Sequence, residues 1–218
     1  MSKRCIILAN GNLEDRDALR ARLAGWENAL VVAADGGSRH AGPLGLLIHA
    51  TIGDLDSLDP EDRLALSSSG TKVQTVPSAK DETDLELAAL YAVEQGASHI
   101  AVVGALGGRV DMTVANLMLL THPKLQSTRI ELWHGWQTAW LIRPPGDQVP
   151  GQPGDTLSLI PVGGAAEGIT TQSLAYPLQE ETLAFGPTRG VSNVLTDQVA
   201  HVAIKKGILL AIHTPASG

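Results

Sequence analysis

The chain is short of the residues that usually announce chemistry. It has one cysteine, Cys5, so no internal disulfide can form and no cysteine cluster can hold zinc. Inside an apolar run, that thiol reads as a small buried hydrophobe. The seven histidines are scattered, with no zinc-type spacing. Positive charge is scarce: 16 Lys and Arg against 23 Asp and Glu leave a formal net charge of −7. That excludes the broad basic face of a duplex nucleic-acid binder but leaves room for a local phosphate pocket. Long apolar runs are missing too. Cys5 to Ala9 is broken at once by Asn10-Gly11, too soon for a signal peptide or a membrane span. The expectation is a soluble, cytoplasmic protein with no nucleic-acid or membrane partner. There is no Walker A loop, no GxGxxG fingerprint, no internal repeat and no low-complexity tract.

Hydrophobic residues make up 44% of 218 positions, enough for a packed core. Over the first part of the chain, strand-like and helix-like segments alternate, as in an α/β fold with a parallel sheet. Apolar runs predict strands over Arg4–Ala9, Leu30–Ala34, Ile48–Ile52, Lys72–Val76 and His99–Val103. They are continuous rather than alternating, as expected when both faces of a sheet are covered. Helical patterns fall over Glu14–Ala24, Pro60–Ser67, Thr83–Gln95 and Met112–Leu120. The stretch 144–154 is dense in Pro and Gly and reads as a linker. Short β-type runs follow: Thr156–Pro161, Gly168–Thr171, Thr182–Ala184, Val199–Ile204 and Ile208–Ile212. The expected architecture is a Rossmann-like parallel-sheet domain over 1–143, the linker, and a small all-β sandwich over 155–218.

This layout sets polar residues where strands end. Asp35-Gly36-Gly37 follows the second strand, Gly53-Asp54-Leu55-Asp56-Ser57 the third, Lys80-Asp81-Glu82-Thr83-Asp84 the fourth, and Gly107-Gly108-Arg109 the fifth. Ligands of open α/β sheets bind beyond the carboxyl ends of the strands. Carboxylates gathered there repel one another, and the usual reason to gather them is Mg²⁺ shared with substrate phosphates. Asp54 and Asp56, two apart in an extended segment, can face one cation. Such a pair also serves dehalogenase-type phosphatases and metal-dependent glycosyltransferases, and it can simply lead into a capped helix. Thr83 fits a helix N-cap, with Glu86 completing a capping box, and Asp84 suits the positive helix start. The glycines let main-chain N–H groups approach phosphate oxygens, and Arg109 supplies a planar donor fork. Trp133, Trp136 and Trp140 read as packing residues.

Taken in order, Ala34-Asp35-Gly36-Gly37, the Asp54/Asp56 segment, Lys80 to Asp84, Gly107-Gly108-Arg109-Val110-Asp111 with Asn116, and Gly190-Val191-Ser192-Asn193 resemble the thiamine pyrophosphokinase family. The resemblance covers nearly the whole chain. It implies Mg²⁺-dependent transfer of pyrophosphate from ATP to the hydroxyl of thiamine, giving thiamine diphosphate and AMP. It also implies a homodimer with the thiamine site at the subunit interface. By motif, Asp35, Asp54, Asp56 and Asp84 are the implied catalytic carboxylates, with Asp54, Asp56 and Asp84 holding the metal. Lys80, Asp81, Thr83, Gly107, Gly108, Arg109 and Asp111 are the implied ATP contacts, and Ser192 and Asn193 the implied thiamine contacts. Many family members carry a Trp soon after the Ser-Asn pair; here Val194 to Gln198 holds no aromatic residue. A pyrophosphokinase for another small alcohol, such as a hydroxymethylpterin, and a non-catalytic nucleotide- or thiamine-binding module remain the alternatives.

Overall fold

Four consecutive residues, Cys5 to Leu8, are completely shielded from solvent, as a strand covered on both faces requires. They belong to β1 (Lys3–Leu8) in the computed structural model, which describes residues 3–53, 72–75 and 81–216. The chain divides into two compact units, Met1–Gly135 and Trp136–Gly218.

In the first unit the further strands are β2 (Leu30–Ala34), β3 (Ala50–Gly53), β4 (Lys72–Thr75), β5 (Ala97–Val103) and β6 (Arg129–His134). Their spatial order is β6-β5-β1-β2-β3-β4, and every adjacent pair is parallel. The strand order therefore reverses between β1 and β5, the place where open parallel sheets form their ligand crevice. Asp15 starts the helix Arg16–Leu23, accepting a hydrogen bond from the Ala18 N–H at 3.0 Å. That cap begins the helix later than its apolar spacing predicts. Leu19 and Leu23 join Ile6, Leu8, Val31, Val103 and Trp133 in one buried cluster. The helix Asp84–Glu94 turns Leu85, Ala88, Ala89 and Ala92 inward, as predicted. The predicted helix Pro60–Ser67 lies outside the described residues.

Strand β6 escaped prediction because Arg129, Glu131 and His134 interrupt its apolar residues. Glu131 is nevertheless a structural hub. It accepts hydrogen bonds from Arg129 Nε at 2.8 Å and Trp133 Nε1 at 3.0 Å, and lies 3.3 Å from His99 Nε2. Burial alone would raise its pKa, but the nearby His99 imidazole and the hydrogen bonds from Arg129 and Trp133 prevail and hold it at about 2.

The second unit consists of two antiparallel sheets. One contains β7 (Gln137–Ile142), β9 (Thr156–Pro161), β12 (Asn193–Val194) and β14 (Leu209–Thr214), in the order β12-β9-β14-β7. The other contains β8 (Gly146–Pro150), β10 (Ala166–Gln172), β11 (Glu181–Leu183) and β13 (Val199–Ala203), in the order β11-β10-β13-β8. Inward residues alternate along β9, and Trp140, Leu157, Leu159, Ile169, Val202 and Leu209 from both sheets share one core. A parallel-sheet unit followed by a β-sandwich is the fold class the sequence predicts.

The division between units falls ahead of the expected boundary at 143/144. The Pro- and Gly-rich stretch expected to be a linker instead carries β8, paired residue by residue with β13. Composition misleads there because Pro150 ends an outer strand of its sheet, where a missing N–H costs little. Among the described residues no helix is long and apolar enough to cross a membrane.

Candidate active site

A cleft of about 500 Å³ opens beyond the carboxyl ends of β1, β2 and β5. Three walls meet there. Asn10, Gly11 and Asn12 leave β1; Gly104, Ala105, Gly107, Gly108 and Arg109 leave β5; Thr83 and Asp84 come from the start of the helix Asp84–Glu94. Asp35, directly after β2, closes the floor.

Asp35 is buried, with φ of 44°, a left-handed conformation that Asp tolerates better than most residues. It opens a short 3₁₀ helix, Asp35–His40. Of the two glycines after it, Gly37 is sterically required against main chain, and Gly36 lets the Asn10 side chain pack close. A Cβ on Gly37 would lie 2.0 Å from the Leu8 carbonyl oxygen, and one on Gly36 would lie 2.6 Å from Asn10 Nδ2. The 3₁₀ helix therefore packs directly against the chain leaving β1. Gly53, the last residue of β3, is equally close to Asp35: a Cβ there would lie 2.8 Å from that of Asp35.

Thr83 caps its helix as predicted, its hydroxyl accepting from the Glu86 N–H at 3.2 Å. The second half of the expected capping box does not form: the Glu86 carboxylate lies 3.6 Å from His122 Nε2 instead. Asp84, the first residue of the helix, is half-buried and lines the cleft. Asp81 is exposed and outside the lining, whereas Glu82, which no motif singled out, is within it.

Gly107 and Gly108 have φ of 83° and 76°, values that strain any residue with a Cβ. They turn the chain into the helix Val110–Leu119. Arg109 grips Asp111 with two hydrogen bonds, Nε to Oδ1 at 3.1 Å and Nη2 to Oδ2 at 2.5 Å. Hydrogen bonding from Arg109 lowers the Asp111 pKa, and the Arg109 pKa is raised by the same bond. Both side chains are solvent-exposed, so the pair preforms a donor fork rather than stabilising the fold. Asp111 itself does not line the cleft; it orients Arg109, which does.

The sequence reading missed the Asn10 to Asn12 wall and the two side chains beneath it. His40 Nε2 lies 2.8 Å from the Gly11 carbonyl oxygen, and Arg39 Nη2 donates to the Asn10 carbonyl oxygen at 2.9 Å. The available signal was the Asn-Gly pair ending the first strand, where a strand terminus at the sheet's switch point carries ligand contacts.

Asp54, Asp56 and Lys80 lie outside the described residues. Among the described residues no group of three or more His, Cys, Asp and Glu is arranged to hold a metal ion. Ser192 and Asn193 lie in the second unit. Ser192 is exposed, with φ of 61°. The Asn193 side chain is committed to the main chain of Tyr176: Nδ2 donates to the carbonyl oxygen at 2.7 Å and Oδ1 accepts from the N–H at 3.0 Å. Tyr176 itself is 71% exposed.

Two family models match the chain: "Thiamin pyrophosphokinase, catalytic domain" over residues 23–133, and "Thiamin pyrophosphokinase, vitamin B1 binding domain" over residues 144–209. A thiamine pyrophosphokinase of Bacillus subtilis (strain 168) is 27% identical over 190 residues, spanning 86% of this chain and 88% of that protein. A crystal structure of thiamine pyrophosphokinase from Bacillus subtilis matches with a TM-score of 0.85 at 25% identity, covering 98% of this chain and 99% of that one. The thiamin pyrophosphokinase structure from Geobacillus thermodenitrificans matches with a TM-score of 0.83 at 27% identity, over 99% of each chain.

Proposed function

The chain belongs to the thiamin pyrophosphokinase family, and on that premise we propose that it transfers pyrophosphate from ATP to the hydroxyl of thiamine, with the cleft at the β1/β5 crossover as its nucleotide site. The observation that carries this reading is convergence: residues from four separate stretches, Asn10 to Asn12, Asp35, Thr83-Asp84 and Gly104 to Arg109, line one cleft.

The reaction requires the alcohol oxygen to form a bond to the β-phosphorus. The bond from that phosphorus to the oxygen bridging it to the α-phosphorus breaks, and AMP leaves. Catalysis of this type is mostly positioning and neutralisation of charge. The Gly107-Gly108 turn and the start of the helix Val110–Leu119 offer main-chain N–H groups and a partial positive charge to phosphate oxygens. Arg109, held by Asp111, offers its remaining N–H groups to phosphate. Lys80, Asp81 and Thr83 complete the proposed nucleotide contacts.

Carboxylates suit a hard divalent cation. Asp35 and Asp84 line the cleft, and Gly53, abutting Asp35, leads into the segment holding Asp54 and Asp56. Asp54, Asp56 and Asp84 are the proposed Mg²⁺ holders, with Asp35 beside them. The bound ion supplies Lewis-acid polarisation of the phosphates. One carboxylate of this set takes the proton of the attacking hydroxyl. Ser192 and Asn193 are the proposed thiamine contacts: Ser192 through its exposed side chain, Asn193 by holding the Tyr176 turn.

A homodimer with thiamine bound between subunits is part of the proposal. The helix Val110–Leu119 supports it, because Val110, Val114 and Met118 recur at four-residue spacing and are 77%, 53% and 42% exposed. An apolar stripe of this kind is the usual mark of an interface. The cytoplasm is the proposed location, consistent with the lone, buried Cys5 thiol.

The test is incubation with ATP, Mg²⁺ and thiamine. AMP and thiamine diphosphate are the expected products. ADP would indicate an ordinary kinase. AMP formed only with a hydroxymethylpterin would move the acceptor. Binding without turnover would leave a non-catalytic module.

A further inference from the structure

Beyond its last strand pairing, β1 still leans on β5: the Ala9 and Gly11 N–H groups donate to the carbonyl oxygens of Val103 and Gly104, each at 2.8 Å. The carbonyl oxygens of Asn10 and Gly11 belong to no sheet, and polar main chain in a packed region needs partners. Two consecutive side chains provide them. Arg39 Nη2 donates to Asn10 at 2.9 Å and reaches Gly11 at 3.3 Å, and His40 Nε2 meets the Gly11 carbonyl at 2.8 Å. A carbonyl oxygen only accepts, so His40 Nε2 carries the proton. Burial lowers the His40 pKa; the bond to Gly11 opposes that shift, while Arg39 and Arg16 reinforce it. The ring is therefore a neutral donor at physiological pH.

The position of these residues gives the contact its significance. Arg39 and His40 end the same 3₁₀ helix that begins with Asp35. The His40 ring also sits beside the other wall: a Cβ added to Gly104 would come within 3.6 Å of His40 Cδ2. One six-residue segment thus carries a cleft carboxylate at its start and, at its end, two side chains bonded to the Asn10–Gly11 wall. We propose that Arg39 and His40 are positioning residues that set the Asn10 to Asn12 wall against Asp35 and the Gly-rich turn, so that nucleotide phosphates meet the carboxylates in reacting geometry. The inference rests on the proposed function for its substrate.

The experiment compares His40→Leu with His40→Gln, which retains an N–H donor, and Arg39→Ala with Arg39→Lys. It reads kcat, KM for ATP and KM for thiamine separately, along with thermal unfolding and calorimetric binding of a non-hydrolysable ATP analogue. Misplacement of a wall by about 1 Å is expected to lower kcat/KM for ATP roughly a hundredfold in His40→Leu, with KM for thiamine changed less than about twofold. His40→Gln is expected to recover most of the loss. Arg39 is exposed, so the melting of Arg39→Ala is expected to stay near wild type; its kcat/KM for ATP is expected to fall about tenfold, rescued in part by Lys. Wild-type kcat/KM for ATP in both His40→Leu and Arg39→Ala would overturn the assignment. So would equal loss in the Leu and Gln variants, which would show that the N–H donor at position 40 does not set the wall; a merely structural role predicts that the loss follows melting in both. If the wild type made no AMP, the proposed function would fall; analogue affinity that still tracked the donor at position 40 would then uphold the positioning role by itself.

Discussion

The Asn116 side-chain amide donates a 2.7 Å hydrogen bond to the carbonyl oxygen of Ala105, tying the helix Val110–Leu119 to the turn that delivers Gly107 to Arg109. Asn116 is the one buried residue of that helix. Its side chain braces this turn from inside and lines the cleft.

Asn116→Leu removes the donor and strands a carbonyl. A buried unsatisfied acceptor costs about 1–3 kcal/mol, so the denaturant midpoint should fall with an unchanged slope. Turnover should fall further than stability does, because the turn loses its brace. Unchanged kinetics in the folded variant would assign Asn116 to stability alone.

Replacing Asp84 or Asp35 by Asn should cost about 10²- to 10⁴-fold in turnover while leaving the melting temperature close to wild type. Asn is the right probe at position 35, since it accepts the left-handed backbone there, with φ of 44°. Asp54→Asn and Asp56→Asn should behave alike. Wild-type turnover across all four variants, measured by AMP release, would refute the carboxylate assignment.

Glu131 ties stability to pH. Its carboxyl titrates at about 2 in the folded chain against an ordinary value of 4.5. A depressed folded pKa stabilises the fold above 4.5, and that contribution is lost as pH falls from 4.5 through about 2. The shift corresponds to about 3 kcal/mol at neutral pH. Glu131→Gln should therefore unfold more easily than wild type at pH 7, with the gap closing as pH approaches 2. A gap independent of pH in urea titrations would contradict the linkage.

Ser192 and Asn193 should separate cleanly. Asn193→Ala removes both bonds to the Tyr176 main chain and should lower stability by about 1–2 kcal/mol. Ser192→Ala leaves those bonds in place and should raise KM for thiamine with little change in melting. The reverse pattern would show that Asn193 binds substrate directly and Ser192 does not.

Much of this arrangement can be read in one dimension. Apolar runs predict β2 to the residue and β1 and β5 to within two residues at each end, because a strand buried on both faces has no reason to alternate. Thr83 as a cap and Gly107-Gly108 as a turn follow from local stereochemistry. Other parts cannot be read this way. Strand β8 is hidden by Pro and Gly, and β6 by Arg129 and Glu131, whose charges break the apolar run although they pair with each other within the strand. Arg39 and His40 carry no motif, since what they satisfy is a pair of carbonyls about 29 residues earlier in the chain.

By itself the sequence determined the α/β-then-β architecture and which strand ends bear carboxylates, glycines and arginine, because periodicity and turn chemistry are local properties. Only the tertiary structure decided that the strand order reverses between β1 and β5, which brings Asn10, Asp35, Asp84 and Arg109 to one cleft. It alone showed Asn193 bound to Tyr176 and Asp111 to Arg109. Hydrogen-bond partners are chosen by proximity in space, and proximity is settled only once the sheet has formed.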